Sequence, residues 1–485
     1  MINININKIP KINFVFDFKL PNGYLPFGYS KNTLGYNIFK KFEIEEQDSL
    51  TLFHSSNENP NDFICKCGSP FTTYFSEHTK NTNLISVSDI TYINPSELYL
   101  IVIESQLSNN MFQYYNRYDF EIGYLLSPKL IELFKNNKNF KLVFMDMREG
   151  AYPHDITFYE KINNFLVKHD INDESKVIVS TNNNFIENIK EHTDFIKFNN
   201  KIDIYSNNYF LLASGKFLGQ LRTSNNLITE NGYDFSVQEN INYNPREKYF
   251  IMYNRNTERL HRPYFVNKLY ENNLIDYGFI SFFENPYLDS FLQNSDRYDE
   301  LKLNFDDIKS IRDNYKNYTP MIIDNPDSNE VADYHNFLSR SIEYENSYFT
   351  IISETNAESD YCFITEKTAK PIMNLHPFVV LGNPHTLKVL KKYGFKTFDK
   401  WWDESYDNEF DFKTRSDMVL NIVKELCSKS KDEMNSMLMN MSSSLYFNKK
   451  LLHKLNYNKT FQKEFLQKVC KNLNLLNNIE ERLLI

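Results

Sequence analysis

The chain has 485 residues, of which 41% are apolar, with 54 basic and 63 acidic side chains and a formal net charge of −9. This length predicts two or three domains, and the composition excludes a disordered chain. The acidic balance disfavours duplex nucleic acid as a partner, because such binding depends on neutralising phosphates, but it is compatible with a local basic cleft for one small anion.

The N-terminal region, residues 1–85, is rich in Phe, Tyr, Gly and Pro, which predicts a β-rich addition of short strands and turns. The first six residues alternate like a strand and lack the pattern of a secretory leader. No apolar run in the chain approaches the ~20 residues of a membrane span. The five cysteines are scattered and odd in number, which disfavours a disulfide framework, and the close pair Cys65 and Cys67 is interpreted as ordinary thiols rather than a zinc site. These features predict a cytoplasmic protein.

Apolar runs alternate with helical patterns in the next part of the chain. Strands are predicted at 97–105, 139–150 and 175–183, with helices near 125–137 and 155–169. Near-continuous apolar runs are typical of parallel strands buried on both faces. Residues 86–240 therefore predict a Rossmann-like α/β domain.

The same alternation begins again after the polar stretch 236–247. The predicted order is strand 248–256, helix 257–276, strand 277–283, strand 347–355, helix 364–375, strand 377–383 and helix 385–394, with residues 285–345 irregular and acidic. We expect a second Rossmann-like domain at 241–412 and a helical C-terminal tail at 413–485. The fold class predicted for the chain is α/β with two Rossmann-like domains.

The most informative segment lies between two strands of the second domain. A strand ends at Ser353-Glu354-Thr355-Asn356, and Thr365-Glu366-Lys367 opens a helix after a polar loop. This places the triplet at the edge where open α/β sheets bind ligands. A helix N-terminus favours a phosphate, Lys367 adds a point charge, and Glu366 can accept two hydrogen bonds from a ribose. The alternative is a capped surface helix with a solvated charge pair; the strand, loop, triplet and strand in sequence favour a site.

This segment resembles the donor-binding motif of the α1,3-fucosyltransferase family. The residues that match in order and approximate spacing are Glu354, Asn356, Tyr361, Thr365, Glu366 and Lys367. Thr355 separates a Glu-Asn pair that is adjacent in the family, and Lys370-Pro371 stands where the family has a Trp-Arg-Asn run. Residues 392–407 are similar to a stretch in related bacterial and phage-encoded transferases. The resemblance covers roughly 240–407 and implies a glycosyltransferase-B architecture with a nucleotide-sugar donor, GDP-linked if the likeness extends to the nucleotide.

Cations for a diphosphate are expected just after the first strand of this domain. Asn254 and Arg255 close the strand, and Arg259 and Arg262 follow at spacings that place the three arginines on one helix face. Guanidinium groups match phosphate oxygens, and a transferase without a metal must stabilise its leaving diphosphate with such cations. Similar bacterial transferases carry an Asn-Arg and a further Arg here. The alternative is a solvated basic face balanced by nearby glutamates.

The catalytic base is expected in the first domain. Glu149, where a strand meets a loop, is the first choice to deprotonate the acceptor hydroxyl, with Asp146 and His154 as alternatives. Glu149 is also compatible with a turn residue that caps the next helix. No Asp-X-Asp follows a strand, since Arg148 stands two residues after Asp146, so we expect neither a metal nor another cofactor.

The sequence thus predicts an inverting, metal-independent glycosyltransferase, with Glu149, Arg255 and Lys367 as catalytic residues. Its acceptor is a glycan, a small molecule or a modified nucleobase. A kinase is disfavoured because the loop GxxxxGK[ST] is missing. A non-catalytic glycan-binding or structural protein that retains the fold is the remaining alternative.

Overall fold

The computed structural model describes two compact units, the first within residues 1–207 and the second within 208–457. The described residues are 11–16, 82–105, 126–146, 156–173, 175–184, 202–206, 211, 227–228, 234–235, 237–254, 257, 259–283, 301–323, 341–357 and 362–455. Predicted site residues outside these ranges are Glu149, His154, Arg255 and Tyr361.

The first unit contains a six-stranded parallel sheet in the order β2-β1-β3-β4-β5-β6. Its strands are β1 (Ile12–Phe16), β2 (Thr82–Ser86), β3 (Leu98–Ser105), β4 (Phe140–Asp146), β5 (Val177–Thr181) and β6 (Ile202–Ser206). Helix α1 (Pro128–Asn136) connects β3 to β4, and α2 (Ile156–Lys168) connects β4 to β5. The predicted parallel α/β arrangement is confirmed. β1 and β2 come from the region 1–85 that was predicted as a β-rich addition, and they lie within this sheet because their apolar side chains extend its core.

Two lysines are buried at the amino ends of β4 and β5. Lys141 is 3% exposed and Lys176 is fully buried. Their ammonium groups donate hydrogen bonds of 2.6 Å to the carbonyls of Ser175 and Asn137, respectively. Burial lowers the pKa of each lysine to about 8. Charging these groups inside the fold therefore costs free energy that the unfolded chain does not pay.

We expect the free energy of unfolding to rise by about 2 kcal/mol between pH 8 and pH 10 through Lys176 alone. In this window an unfolded lysine still binds its proton, while the folded one, with a pKa of about 8, has released it. Stability is therefore gained as the pH rises and lost again as it falls. Urea unfolding of the wild type and of Lys176→Met at pH 8, 9 and 10 measures the difference. The exposed Lys138→Met is the control, and a wild-type curve parallel to that of Lys176→Met would contradict the assignment.

The second unit contains a four-stranded parallel sheet in the order β10-β9-β11-β12, preceded by the antiparallel pair β7 (Leu227–Ile228) and β8 (Asp234–Phe235). The sheet consists of β9 (Lys248–Asn254), β10 (Gly278–Phe282), β11 (Ser347–Ser353) and β12 (Phe378–Leu381). The helices are α3 (His261–Glu271), α4 (Phe305–Tyr318), α5 (Ile342–Glu345), α6 (Glu366–Met373), α7 (Thr386–Lys392), α8 (Phe412–Ser428) and α9 (Lys431–Lys454). This is the second predicted Rossmann-like arrangement.

Two parts of this unit differ from the sequence prediction. The helix predicted at 257–276 begins only at His261. The stretch predicted to be irregular contains α4, whose first turn is fixed by a capping box between Asn304 and Asp307. The Asp307 carboxylate also pairs with Lys413 at 2.7 Å. The acidic residues of this stretch therefore stabilise a helix N-terminus.

The direction of the chain across the sheet reverses between β9 and β11. After β9 the chain passes through α3 to β10 on one side, and after β11 it passes through α6 to β12 on the other. Such a reversal leaves a crevice outside the carboxyl ends of the two central strands, which is where open α/β sheets bind ligands. We call this side of the sheet the carboxyl edge of the second unit.

The end of the second unit contacts its beginning. On α9, the buried Lys449 ammonium donates to the Gln238 carbonyl at 2.6 Å, and the Tyr446 hydroxyl accepts from the Ile241 amide at 3.2 Å. The described part of the predicted tail 413–485 is therefore integrated into this unit. No helix among the described residues combines the length and apolar character that crossing a bilayer requires.

Candidate functional site

Two buried polar side chains lie at the carboxyl edge of the second unit. Asn254 ends β9 and Ser353 ends β11, and they are 0% and 2% exposed. Since Thr350 pairs with Ile251, continuing the register by three residues places Ser353 beside Asn254. Within the part of the chain that the structure describes, neither the Asn254 amide nor the Ser353 hydroxyl has a hydrogen-bond partner. Buried polar groups are nearly always paired, so this position at the crevice is suited to a ligand or an ordered water.

The Glu354 carboxylate joins the end of β11 to the start of α6. One oxygen accepts from the Thr365 amide at 3.2 Å and the Thr368 hydroxyl at 2.5 Å. The other accepts from the Thr365 hydroxyl at 2.6 Å and the Thr355 amide at 3.2 Å. Because Glu354 is fully buried, these four hydrogen bonds hold α6 against the strand. We therefore assign Glu354 a positioning role, and its predicted contact with a donor stays a prediction.

The backbone carbonyl of Glu354 binds the start of α3. It contacts His261 Nε2 at 2.9 Å and accepts from the Arg262 guanidinium at 3.2 Å. Both of these side chains are buried. One residue thus connects the first turns of α3 and α6, the two helices that begin at the carboxyl edge.

Gly382, directly after β12, leaves the space that the Glu354 side chain occupies. A Cβ at position 382 would stand 3.0 Å from Glu354 Cβ and 3.2 Å from its Cγ. Contacts this short require a neighbour to move, so glycine is the residue that lets the carboxylate reach α6.

Lys367 and Glu366 form an ion pair at the N-terminus of α6. Thr365 is the N-cap, and its hydroxyl accepts from the Lys367 amide at 3.2 Å. The Lys367 ammonium contacts Glu366 at 2.7 Å and the Thr355 hydroxyl at 3.1 Å. Burial alone would raise the pKa of Glu366, but Lys367 and Lys370 outweigh it, so the pKa lies below its ordinary value. Glu366 is therefore an anionic acceptor at neutral pH, and the Lys367 side chain is 27% exposed.

Arg259 and Arg262 reach the same edge by different routes. Arg259 precedes α3 and donates to the Asn356 side chain at 3.2 Å, while Arg262 is the second residue of the helix. The prediction that the arginines share one helix face is wrong for this pair, because the helix begins after Arg259. Arg255 lies outside the described residues.

Arg415 holds the loops around the crevice. It is 1% exposed, on α8. Its guanidinium donates to the backbone carbonyls of Ala357, Gly382, Glu409 and Phe410. The loop that follows β11 is therefore fixed to the residue that follows β12.

The structure brings together most of the described residues that the sequence predicted for this site. These are Asn254, Arg259, Arg262, Glu354, Asn356, Thr365, Glu366 and Lys367. Sequence reasoning missed the contributions of Ser353, Thr368, Gly382 and Arg415. The spacing of Thr365 and Thr368, three residues apart at a helix start, was the one available indication, since it places both hydroxyls on one side of the first turn.

Within the described ranges, no three His, Cys, Asp or Glu side chains are placed to hold a metal ion. Metal independence stays a prediction.

Comparisons with known proteins gave matches among solved structures. No protein-family model matches the sequence, and no curated protein matches it. The chain is similar to T4 phage BGT in complex with UDP-glucose, with 12% identity over 94% of this chain and 98% of that one and a TM-score of 0.35. A structure of the DNA modifying enzyme β-glucosyltransferase shows 12% identity over the same shares, with a TM-score of 0.31.

A third similar structure is the UDP-forming α,α-trehalose-phosphate synthase from Burkholderia vietnamiensis. It is 8% identical over 80% of this chain and 75% of that one, with a TM-score of 0.36. All three TM-scores lie below 0.5. The geometry of the site itself must therefore carry any functional conclusion, and the predicted relationship to fucosyltransferases stays a prediction.

Proposed function

We propose that the chain is a glycosyltransferase whose second unit binds a nucleotide-sugar donor at its carboxyl edge. The observation that carries this proposal is the unpaired, buried row of Asn254 and Ser353 at the reversal between β9 and β11. It lies at the strand ends from which Lys367 and the N-terminus of α6 are reached through Glu354. Hydrogen-bonding groups without protein partners, beside groups suited to an anion, fit a ligand that carries both hydroxyls and phosphates.

The cations and the N-terminus of α6 provide the chemistry for a diphosphate. Lys367 and Arg259 are partly exposed and keep donors available beyond their single described contacts with neutral oxygens. A helix N-terminus adds backbone N–H groups and a positive dipole end. The chain as a whole carries a net charge of −9, so this local concentration of cations marks one place where an anion is favoured.

Glu366 provides the group for a ribose. Its carboxylate is anionic because Lys367 and Lys370 lower its pKa against the effect of burial. A carboxylate can accept hydrogen bonds from two hydroxyls of a diol at once. We assign Glu366 the ribose and Asn254, with Ser353, the polar groups nearest to the sugar or the β-phosphate.

The proposed reaction is a single in-line displacement with inversion at the anomeric carbon. The acceptor oxygen forms the new bond to that carbon as its bond to the diphosphate breaks, and the electron pair leaves with the diphosphate. Lys367, Arg255, Arg259 and Arg262 stabilise the departing charge without a metal. A base of the first unit takes the acceptor proton, with Glu149 as the first candidate and Asp146 and His154 as alternatives. The two units face each other as in the glycosyltransferase-B architecture.

Asn254→Leu tests the proposal, because a side chain kept for a ligand can be removed without loss of stability. Replacing an unpaired buried amide by an apolar group of similar size is expected to leave the melting temperature unchanged or raised. Affinity for the preferred nucleoside diphosphate is expected to fall at least tenfold. Isothermal titration with UDP, GDP, UMP and GMP, repeated in EDTA, measures this, and the diphosphate should bind more tightly than its monophosphate.

The outcomes separate the alternatives. A wild type that binds none of the four nucleotides would overturn the proposal. Binding without turnover of UDP-glucose or GDP-fucose would indicate a non-catalytic protein that retains the fold. Loss of all turnover in EDTA, restored by one divalent ion, would contradict the proposed metal independence.

A further inference from the structure

The ends of four adjacent strands in the first unit form one polar row. Ser105 pairs with Asp146, Asp146 with Thr181, and Thr181 with Ser206, and each is the last residue of its strand. Residues in register on neighbouring parallel strands lie on the same face of a sheet. The row therefore crosses β3, β4, β5 and β6 at their carboxyl ends, on one face.

The change from apolar to polar occurs at one level in all four strands. Two residues earlier on the same face the row consists of Ile103, Phe144, Val179 and Ile204. Three of these, on β4, β5 and β6, are buried in the core. A sheet edge that only closed a core would not need four polar residues in register. Carboxyl ends of parallel strands are the ligand-binding side of open α/β sheets.

Polar groups immediately beyond β5 are buried as well. Asn182 and Asn183 are 0% and 2% exposed. The Thr181 hydroxyl accepts from the Asn183 amide at 3.2 Å, and the Ser206 hydroxyl donates to the Asn184 side chain at 3.0 Å. Hydrogen bonds within this edge hold its polar groups in place, which is what a preorganised binding surface requires.

The row carries one carboxylate and three hydroxyls. None of the described residues that end these four strands is Lys or Arg, and the buried Lys141 and Lys176 lie at the opposite ends of β4 and β5. A carboxylate among hydroxyls accepts and donates hydrogen bonds to neutral hydroxyl groups, whereas it repels a phosphorylated ligand. This chemistry points to a neutral compound rich in hydroxyls.

We propose that this row is the acceptor site, that it takes a neutral polyhydroxylated acceptor, and that Asp146 is the group that receives the acceptor proton. The assignment rests on the proposed transferase function. Asp146 is the only carboxylate of the row, which favours it over Glu149, whose position lies outside the described residues. In the reaction the acceptor oxygen bonds to the anomeric carbon, the diphosphate leaves with the electron pair of the broken bond, and the proton moves to Asp146.

Asp146→Asn tests the assignment. The variant keeps the shape of the side chain but cannot accept the proton, so turnover is expected to fall about 10²–10⁴-fold. The Kd for the nucleoside diphosphate should stay within twofold of wild type. The probes are UDP-glucose and GDP-fucose as donors, with water, methyl glucosides and their 6-phosphates as acceptors. The wild-type rate should fall at low pH as the base is protonated, and this limb of the pH profile should disappear in the variant.

Asp170→Asn is the matched control. Asp170 follows α2, its side chain is 84% exposed, and its positive φ of 53° is one that asparagine adopts equally well. Turnover by this variant should match the wild type. If Asp146→Asn does not fold, Thr181→Val in the same row should raise the KM for the methyl glucoside while the nucleotide Kd is kept.

Three results would overturn the assignment. They are wild-type turnover by Asp146→Asn, a preference for the 6-phosphates over the neutral glucosides, and a Thr181→Val variant with an unchanged acceptor KM. A wild type that binds a nucleoside diphosphate in these experiments keeps the donor proposal intact whichever of them occurs. A wild type that binds no nucleotide fails the proposed function itself.

Discussion

Glu354→Ala is expected to lower the free energy of unfolding by about 3–5 kcal/mol, the range for removing one partner from a buried charged network. The substitution removes the acceptor of four hydrogen bonds, so that two threonine hydroxyls and two backbone amides lose their partner in the interior. It also leaves a cavity beside Gly382. Urea unfolding monitored by circular dichroism measures the change.

The exposed Glu425→Ala on α8 is the control for this experiment. The Glu425 side chain is 58% exposed and pairs only with Lys429 in the described structure, so its removal should change stability by less than about 0.5 kcal/mol. If Glu354→Ala were as stable as this control, the four hydrogen bonds would not hold α6 in solution.

Lys367→Ala is expected to weaken binding of the nucleoside diphosphate by about 2–4 kcal/mol, by analogy with removing one preorganised donor from a site of charge stabilisation. Transfer should slow further, because the diphosphate gains negative charge as the glycosidic bond breaks. Stability should change little, since the Lys367 side chain is 27% exposed and a partly exposed ion pair contributes about 1 kcal/mol or less. Isothermal titration and thermal melting measure the two effects.

Lys392→Ala separates this effect from a general loss of positive charge. Lys392 ends α7, and its side chain is exposed and lacks a described contact. It removes the same charge from the same unit. Equal affinities of the two variants for UDP and GDP would place the anion away from α6.

The apolar runs predicted both sheets to within a few residues, because a strand buried on two faces requires a continuous apolar segment. The predicted strand 347–355 corresponds to β11, and the predicted helix 364–375 corresponds to α6. The polar loop between them was recognised for the same reason, since chain that leaves a buried sheet must become polar at its edge.

Other features could not be obtained from local patterns. α4 was missed because only three of its residues, Ile311, Tyr315 and Tyr318, are buried, whereas its capping residues Asn304 and Asp307 were visible in the sequence. The start of α3 was misplaced because Leu260 occupies the N-cap without a capping side chain.

The network around Glu354 depends on contacts between residues distant in sequence. Thr365 and Thr368 follow Glu354 by 11 and 14 residues, and the Arg415 contact with Ala357 spans 58. A motif shows that such residues occur together. It does not show that Glu354 faces the protein while Lys367 stays partly exposed.

The contact between Lys449 and Gln238 has a consequence for biosynthesis. These residues are 211 positions apart, and Gln238 is made first. On the ribosome, the segment before β9 must therefore wait without its final partner until α9 has emerged from the exit tunnel. Domains fold as units during translation, so the donor-binding unit completes its fold only near the end of synthesis. A nascent chain stalled between α8 and Lys449 would hold every described donor-site residue yet lack the helix that closes the unit, and would depend on chaperones to protect its exposed core.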